Sequence, residues 1–411
     1  MANVAEKETI NPELPGGLIP LESWRLPETS VHRSIKGALR NTWIQVRAGF
    51  SPDDEAFESL DDLPVLSRGQ IERFAPDPDY GRIARLLLQS VVESPVNNPV
   101  SFLVAPPFSG VRKALTVLAD EDSGHSRHLI MPPDNLLMSD SDAREWWDAC
   151  DFSTPWVIPE LASFWLRHRS GLALVRELLR RVAAGEAGEG LIGCSSWCWQ
   201  FWSYYLPDAR FQPLTPAPMD AGKLGLWLGG LGVPSSDSGV VARMADTGLW
   251  VLPSDPDVLG EGQKTANFLR DLAALSRGIP GIALGIWQKA LRARPEEEQL
   301  EPLEKGDHQS VRAQCWVAPL NKLSLPVVPS AAGRGLAFIL HALLLHDGLG
   351  GDRLELVTGM KGHEAALALN RLLRADLVEY HESDGVWRVT PLGYPAIRRQ
   401  LQSDGFPVDA F

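Results

Sequence analysis

The stretch Val104–Leu115, VAPPFSGVRKAL, joins the apolar run Ser101–Val104 to a helical pattern over Val111–Leu118. An apolar strand, a glycine-bearing turn and a helix in immediate succession place free loop amides beside a helix N-terminus. That combination holds anions by hydrogen bonding and by the helix dipole. The residues that would add catalytic chemistry to such a turn, a lysine and a hydroxyl after the glycine, are missing: Val111 and Arg112 follow Gly110.

Outward from this turn the sequence alternates short apolar runs with helical stretches. The runs are Ser101–Val104, His128–Pro132, Trp156–Pro159, Gly190–Cys194 and Arg210–Leu214, with helices expected over Val111–Leu118 and Leu161–Ala184. The alternation predicts an α/β domain around a mostly parallel sheet. It spans residues 81–219, after an N-terminal arm over 1–80 that is rich in Pro, Asp and Glu and is either partly disordered or draped on a partner or on its own domain. Residues 220–295 predict a helical lid, in which Ser276–Gly281 forms a Gly/Pro turn between two amphipathic helices. A charged linker is expected over 296–332. Residues 333–411 predict helices, then two alternating strands around Ser383-Asp384-Gly385, then a final helix, the pattern of a winged-helix domain.

This order of parts resembles a P-loop NTPase of the AAA+ or STAND type, in which a phosphate-loop strand precedes a second strand, an acidic Walker B strand and a sensor strand. A helical lid with a Gly-x-Pro turn follows, matched here by Gly278-Ile279-Pro280, and often a winged helix. Segments Phe164–Leu172, Ile192–Trp199 and Gly393–Arg398 also resemble bacterial ATPase-like proteins encoded beside small-conductance mechanosensitive channels, presumed to be accessory or regulatory. The second resemblance implies a partner in a membrane-associated complex.

Set against Gly-x-x-x-x-Gly-Lys-Ser/Thr, in which backbone amides cradle phosphates, lysine meets their oxygens and the hydroxyl holds Mg²⁺, the resemblance is degenerate. Gly110 matches the second glycine. Ala105 stands for the first, Val111 for the lysine and Arg112 for the hydroxyl residue. A helix turns about 100° per residue, so Arg112 points away from the direction of Val111 and Lys113 nearly opposite it. Ser109, Gly110, Val111, Arg112 and Lys113 are therefore candidate nucleotide contacts, through amides more than side chains. At the Walker B position, Val157-Ile158-Pro159-Glu160 replaces the metal-orienting aspartate with Pro159. Glu160 is the candidate catalytic base if the site is active, and otherwise a helix cap. Ser195 or Ser196 is the candidate sensor, with a capping role as the alternative. Together the losses favour a pseudo-ATPase, with nucleotide absent or ATP/ADP bound without strong Mg²⁺ dependence. An active ATPase with an unorthodox loop is the rival.

The 411 residues, 44% hydrophobic and 22% charged, are ordinary globular composition. No run of about 18 apolar residues occurs, so no membrane span is expected. The N-terminus lacks a signal-peptide pattern and the four cysteines make no disulfide framework, which leads to a cytoplasmic expectation. Net charge of −13 argues against general nucleic-acid affinity. In residues 352–411, seven basic residues (Arg353, Lys361, Arg371, Arg374, Arg388, Arg398, Arg399) meet nine acids (Asp352, Glu355, Glu364, Asp376, Glu379, Glu382, Asp384, Asp404, Asp409). Docking to protein is thus favoured over a winged-helix DNA reader, with homo- or hetero-oligomers among the expected partners. Cys194 and Cys198 lack a second ligand pair in sequence and read as packing. His125 and His128 read as loop residues and His341 and His346 as structural, so no metal site is expected. The aromatic cluster Trp197, Trp199, Trp202, Tyr204 and Tyr205 reads as core, with an interface as the alternative.

Overall fold

The computed structural model describes residues 11–27, 63–94, 98–119, 127–205, 211–231, 241–252, 266–293, 314–329 and 334–411. Among the described residues, strand β1 (Leu18–Pro20) is followed by the helices α1 (Arg68–Phe74) and α2 (Tyr80–Glu93). Asp79 caps α2 by accepting from the amides of Gly81 and Arg82. Then come β2 (Val100–Ala105), α3 (Val111–Leu118), β3 (His128–Leu129), α4 (Asp140–Asp148), β4 (Trp156–Ile158), α5 (Ala173–Ala184), β5 (Gly190–Ser195), α6 (Ser196–Tyr205) and β6 (Leu214–Pro216). These strands form one sheet in the order β1-β6-β2-β5-β4-β3, parallel throughout except for β1, which pairs antiparallel with β6.

The apolar strands follow from burial on both faces. In β2, Phe102 and Val104 join the cluster that includes Trp156, Ile158 and Trp197, whereas Leu103 and Ala105 point into the other layer with Ile83, Leu87, Val111 and Leu115. Helices α2 and α3 therefore cover one face. Among the described residues six tryptophans (147, 156, 165, 197, 202 and 287) are fully buried, each large apolar ring contributing on the order of 2–3 kcal/mol. Of the aromatic cluster, Trp197 and Trp202 are core, and Tyr204 is exposed.

The core is thus the mostly parallel α/β sheet expected, with a strand–turn–helix unit at β2 and α3. From β2 the chain crosses past β5 and β4 to β3, while β6 lies on the opposite side of β2. The turn after β2 therefore sits at the reversal point of the sheet, beyond the carboxyl ends of the strands, where open α/β sheets bind ligands.

The stretch Leu161–Ala184 is not one helix. Leu161–Phe164 is a 3-10 turn and α5 begins at Ala173. Between them Gly171 approaches the Leu166 carbonyl so closely that an added Cβ would lie 2.5 Å from it. The region read as a lid contains α7 (Ala221–Leu231), α8 (Phe268–Ser276) and α9 (Pro280–Ala290), but also β7 (Val241–Met244), β8 (Trp250–Leu252) and β9 (Leu291–Arg292). With β10 (Gln314–Val317), from the segment read as linker, they make a second sheet ordered β8-β7-β10-β9. The charged part of that linker, residues 28–62 of the N-terminal arm and His125 lie outside the described residues.

The last unit consists of α10 (Arg334–Leu345), α11 (Gly351–Thr358), α12 (Gly362–Arg374), the antiparallel hairpin β11 (Val378–His381) and β12 (Val386–Val389), and α13 (Tyr394–Ser403). Helices followed by a hairpin is the winged-helix order read from the sequence. No helix among the described residues is long and apolar enough to cross a membrane.

Candidate phosphate-loop site

The turn Pro106–Gly110 enters α3 through two left-handed residues, Phe108 (φ 67°) and Gly110 (φ 87°). Glycine takes this conformation freely; phenylalanine pays about 1–3 kcal/mol for it. The surroundings hold Phe108 in place. Its carbonyl accepts the Gly281 amide at 2.9 Å, and its ring meets Tyr394 edge-on at 5.8 Å. Gly281 lies in the first turn of α9, just beyond the Gly278-Ile279-Pro280 turn, and a Cβ there would stand 2.5 Å from the Phe108 oxygen. The lid helix and α13 thus close directly on the loop. Two loop amides also have intramolecular acceptors: Ser109 donates to Pro106 O at 3.2 Å and Val111 to Ser109 Oγ at 3.4 Å.

The side chains after Gly110 diverge as helical geometry requires. Val111 is 4% exposed and packs beneath the loop with Leu87 and Leu115. Lys113 turns toward α2, its Nζ 4.9 Å from the Tyr80 ring centroid and 3.8 Å from Asp77. Arg112 turns the other way, into the C-terminal unit. It pairs with the Asp347 carboxylate and lies 4.0 Å from that of Asp384 in the hairpin turn. Arg388 completes the group by donating to the Asp347 carbonyl at 3.1 Å and pairing with Asp384. One of the hairpin acids is therefore directed at Arg112. Burial works against the Arg112 charge, but Asp347 and Glu160 outweigh it and hold the guanidinium above its ordinary pKa.

Glu160, two residues beyond β4, is buried. Its Oε1 accepts the amides of Ala162 and Ser195, each at 2.9 Å. It is the cap of the 3-10 turn and ties β4 to the end of β5. Burial, then the Asp347 charge, pushes its pKa up to about 8 against these amides and Arg112. Burial thus disfavours the ionised form that a general base needs. Ser195 Oγ accepts the Cys198 amide at 3.4 Å, the geometry of a helix cap. Its neighbour Ser196 donates to Asp409.

Asp409 was not singled out by sequence. It is 2% exposed and binds Arg398 Nε at 3.1 Å, while Tyr394 Oη donates to it at 3.4 Å and accepts from Trp197 Nε1 at 3.1 Å. Arg277, left-handed at the C-cap of α8, donates through Nε to the Phe411 carbonyl at 2.8 Å. The Phe411 ring packs on Trp24 at 4.8 Å. Residues 406–411 thus form a strap joining the sensor-like end of β5, the lid and the N-terminal segment. No local motif could have flagged Asp347 or Asp409, whose partners on the core, Arg112 and Ser196, lie more than 200 residues earlier; the one available signal was an acid beside apolar residues in Val408-Asp409-Ala410-Phe411.

A cavity of about 680 Å³ lies between β1, the start of β6 and the end of α2, and is lined by Leu18, Glu22, Ser90, Glu93 and Gln212. It is large enough for a small ligand, but no residue of the turn Pro106–Gly110 lines it. The site residues are therefore distributed as follows: Glu160 and Ser195 meet directly, Arg112 reaches toward Glu160, Ser109 and Gly110 shape the turn, and Val111 and Lys113 point elsewhere.

No family model matches the chain, and no curated protein matches it. Among solved structures the chain is similar to the Aeropyrum pernix ORC2 protein, determined as ADPNP–ADP complexes, with 10% identity, a TM-score of 0.28, and coverage of 87% of this chain and 100% of that one.

Proposed function

We propose that this chain is a catalytically degenerate AAA+/STAND-like protein that works in the cytoplasm as an adapter or regulator by binding other proteins. The observation that carries this reading is the occupation of the loop by the chain itself: Gly281 and Tyr394 close on Phe108, and Arg112 is committed to Asp347. A loop built for Mg²⁺-assisted hydrolysis needs a cation-binding hydroxyl and an exposed lysine after its glycine. Here an arginine stands at the metal-ligand position and a buried valine at the lysine position. What remains is a rigid support that joins the core, the lid and the C-terminal unit.

Phosphate release from Mg·ATP tests the proposal. The purified chain should show no turnover above the protein-free rate. Turnover that Glu160→Gln abolishes would establish an active ATPase instead.

A further inference from the structure

Beneath the loop, three buried side chains from different places in the sequence converge. Glu160 just beyond β4, Cys194 in β5 and Cys198 in α6 bring one carboxylate oxygen and two sulfurs within 4.8 Å of one another. In sequence the two cysteines lack further ligands; the third donor comes from across the sheet, because β4 pairs with β5 in parallel register. We propose that Glu160, Cys194 and Cys198 bind a thiophilic divalent cation, with zinc the best fit.

Zinc takes sulfur, nitrogen and carboxylate ligands in fours, and this trio supplies three positions, leaving one for water or an outside ligand. Two thiolates select against Mg²⁺ and Ca²⁺, which prefer all-oxygen sites. The surrounding donors are those that orient metal ligands. The Trp165 indole N–H donates to Cys198 Sγ at 3.3 Å, and the amides of Ala162 and Ser195 both donate to Glu160 Oε1, so neither bond uses Oε2. Two thiolates and a carboxylate around Zn²⁺ leave one net negative charge, and the Arg112 guanidinium acts on Glu160 with the opposite sign. The site requires no nucleotide, so it stands or falls separately from the reading above.

The test is metal analysis of the full-length chain purified in zinc-supplemented buffer, with cobalt titration after chelation. About one zinc per chain is expected to survive dialysis, and cobalt should give the near-ultraviolet band of thiolate ligation. Cys198→Ser should abolish both, whereas the double variant Cys150→Ser/Cys315→Ser, which spares the trio, should keep both. Trp165→Phe, which keeps an aromatic ring but removes the indole N–H, should weaken cobalt binding roughly tenfold or more. Absence of zinc together with absence of the cobalt band in the wild type overturns the proposal. So does metal binding that persists in a soluble Cys198→Ser variant.

Discussion

Removing the Asp409 side chain is the sharpest test of how the C-terminal unit is held on the core. In Asp409→Ala the carboxylate that meets Ser196 Oγ, Arg398 Nε and Tyr394 Oη disappears. The side chains of Arg398 and Asp409 are 9% and 1% exposed, so the substitution leaves a buried guanidinium with only the backbone carbonyl of residue 409, at 2.6 Å. Breaking a buried ion pair from one side costs about 3–5 kcal/mol. The strap has further anchors, Phe411 on Trp24 and Phe406 on Phe338 at 5.3 Å, so the lower end of that range applies. A loss of about 3 kcal/mol raises the population of locally opened strap by roughly a hundredfold. Hydrogen exchange resolved to residues 400–411 measures this directly. Amides there, including that of Phe406, which donates to Leu401 O at 2.9 Å, should exchange about a hundredfold faster while β2 and β5 are little changed. Asp409→Asn, which keeps the shape and one acceptor, should fall between. Exchange within a factor of about five of wild type in Asp409→Ala, equivalent to about 1 kcal/mol, would refute the view that this carboxylate holds the unit in place.

Gly281→Ala should destabilise the chain by about 1–3 kcal/mol, read by chemical denaturation, because its Cβ would be driven against the Phe108 carbonyl; an unchanged midpoint would mean that the lid does not close on the loop. Asp347→Ala should cost about 1–2 kcal/mol and loosen the C-terminal unit, since it removes the anion shared with Arg112; the proteolysis rate of the 404–411 segment reports it. The buried imidazoles of His341 in α10 and His346 just after it make stability fall in acid. Burial, aided by the Arg167 charge, lowers His341 to about 4 and His346 to about 3 from 6.5. Above pH 6.5 both are neutral in either state. As pH falls below 6.5 only the unfolded chain takes the protons, so stability drops until the folded values are reached. At pH 5 the loss is on the order of 2 kcal/mol for each histidine, and His346→Gln should flatten the dependence seen in urea titrations between pH 7 and 5.

The α/β core was legible because β2, β4 and β5 are apolar on both faces and their spacing leaves room for helices, which is what a sheet covered on both sides requires. The loop was legible because Gly110 and the helix after it are local features. The second sheet was not: β7 and β10 are four-residue strands that pair in parallel across some 70 residues of sequence, and no periodicity announces such a partner. The break within Leu161–Ala184 was hidden because Phe164, Trp165 and Leu166 look helical in an apolar window, yet they serve as core side chains on an irregular turn. Closure of the loop was hidden for a related reason. It depends on Tyr394, Asp347 and Asp384, whose partners Phe108 and Arg112 lie more than 200 residues earlier, so the loop's chemistry is set by tertiary contacts and not by its motif.

The most direct test of the degenerate-site reading is calorimetric titration of the purified chain with ATP and ADP, with and without Mg²⁺. The account predicts no binding heat, or a weak heat that is the same in both conditions, because only backbone amides and a helix N-terminus remain to hold an anion. Affinity for ATP that rises about tenfold or more when Mg²⁺ is present would contradict it, since that requires a metal-binding arrangement which Val111, Arg112 and Pro159 do not provide.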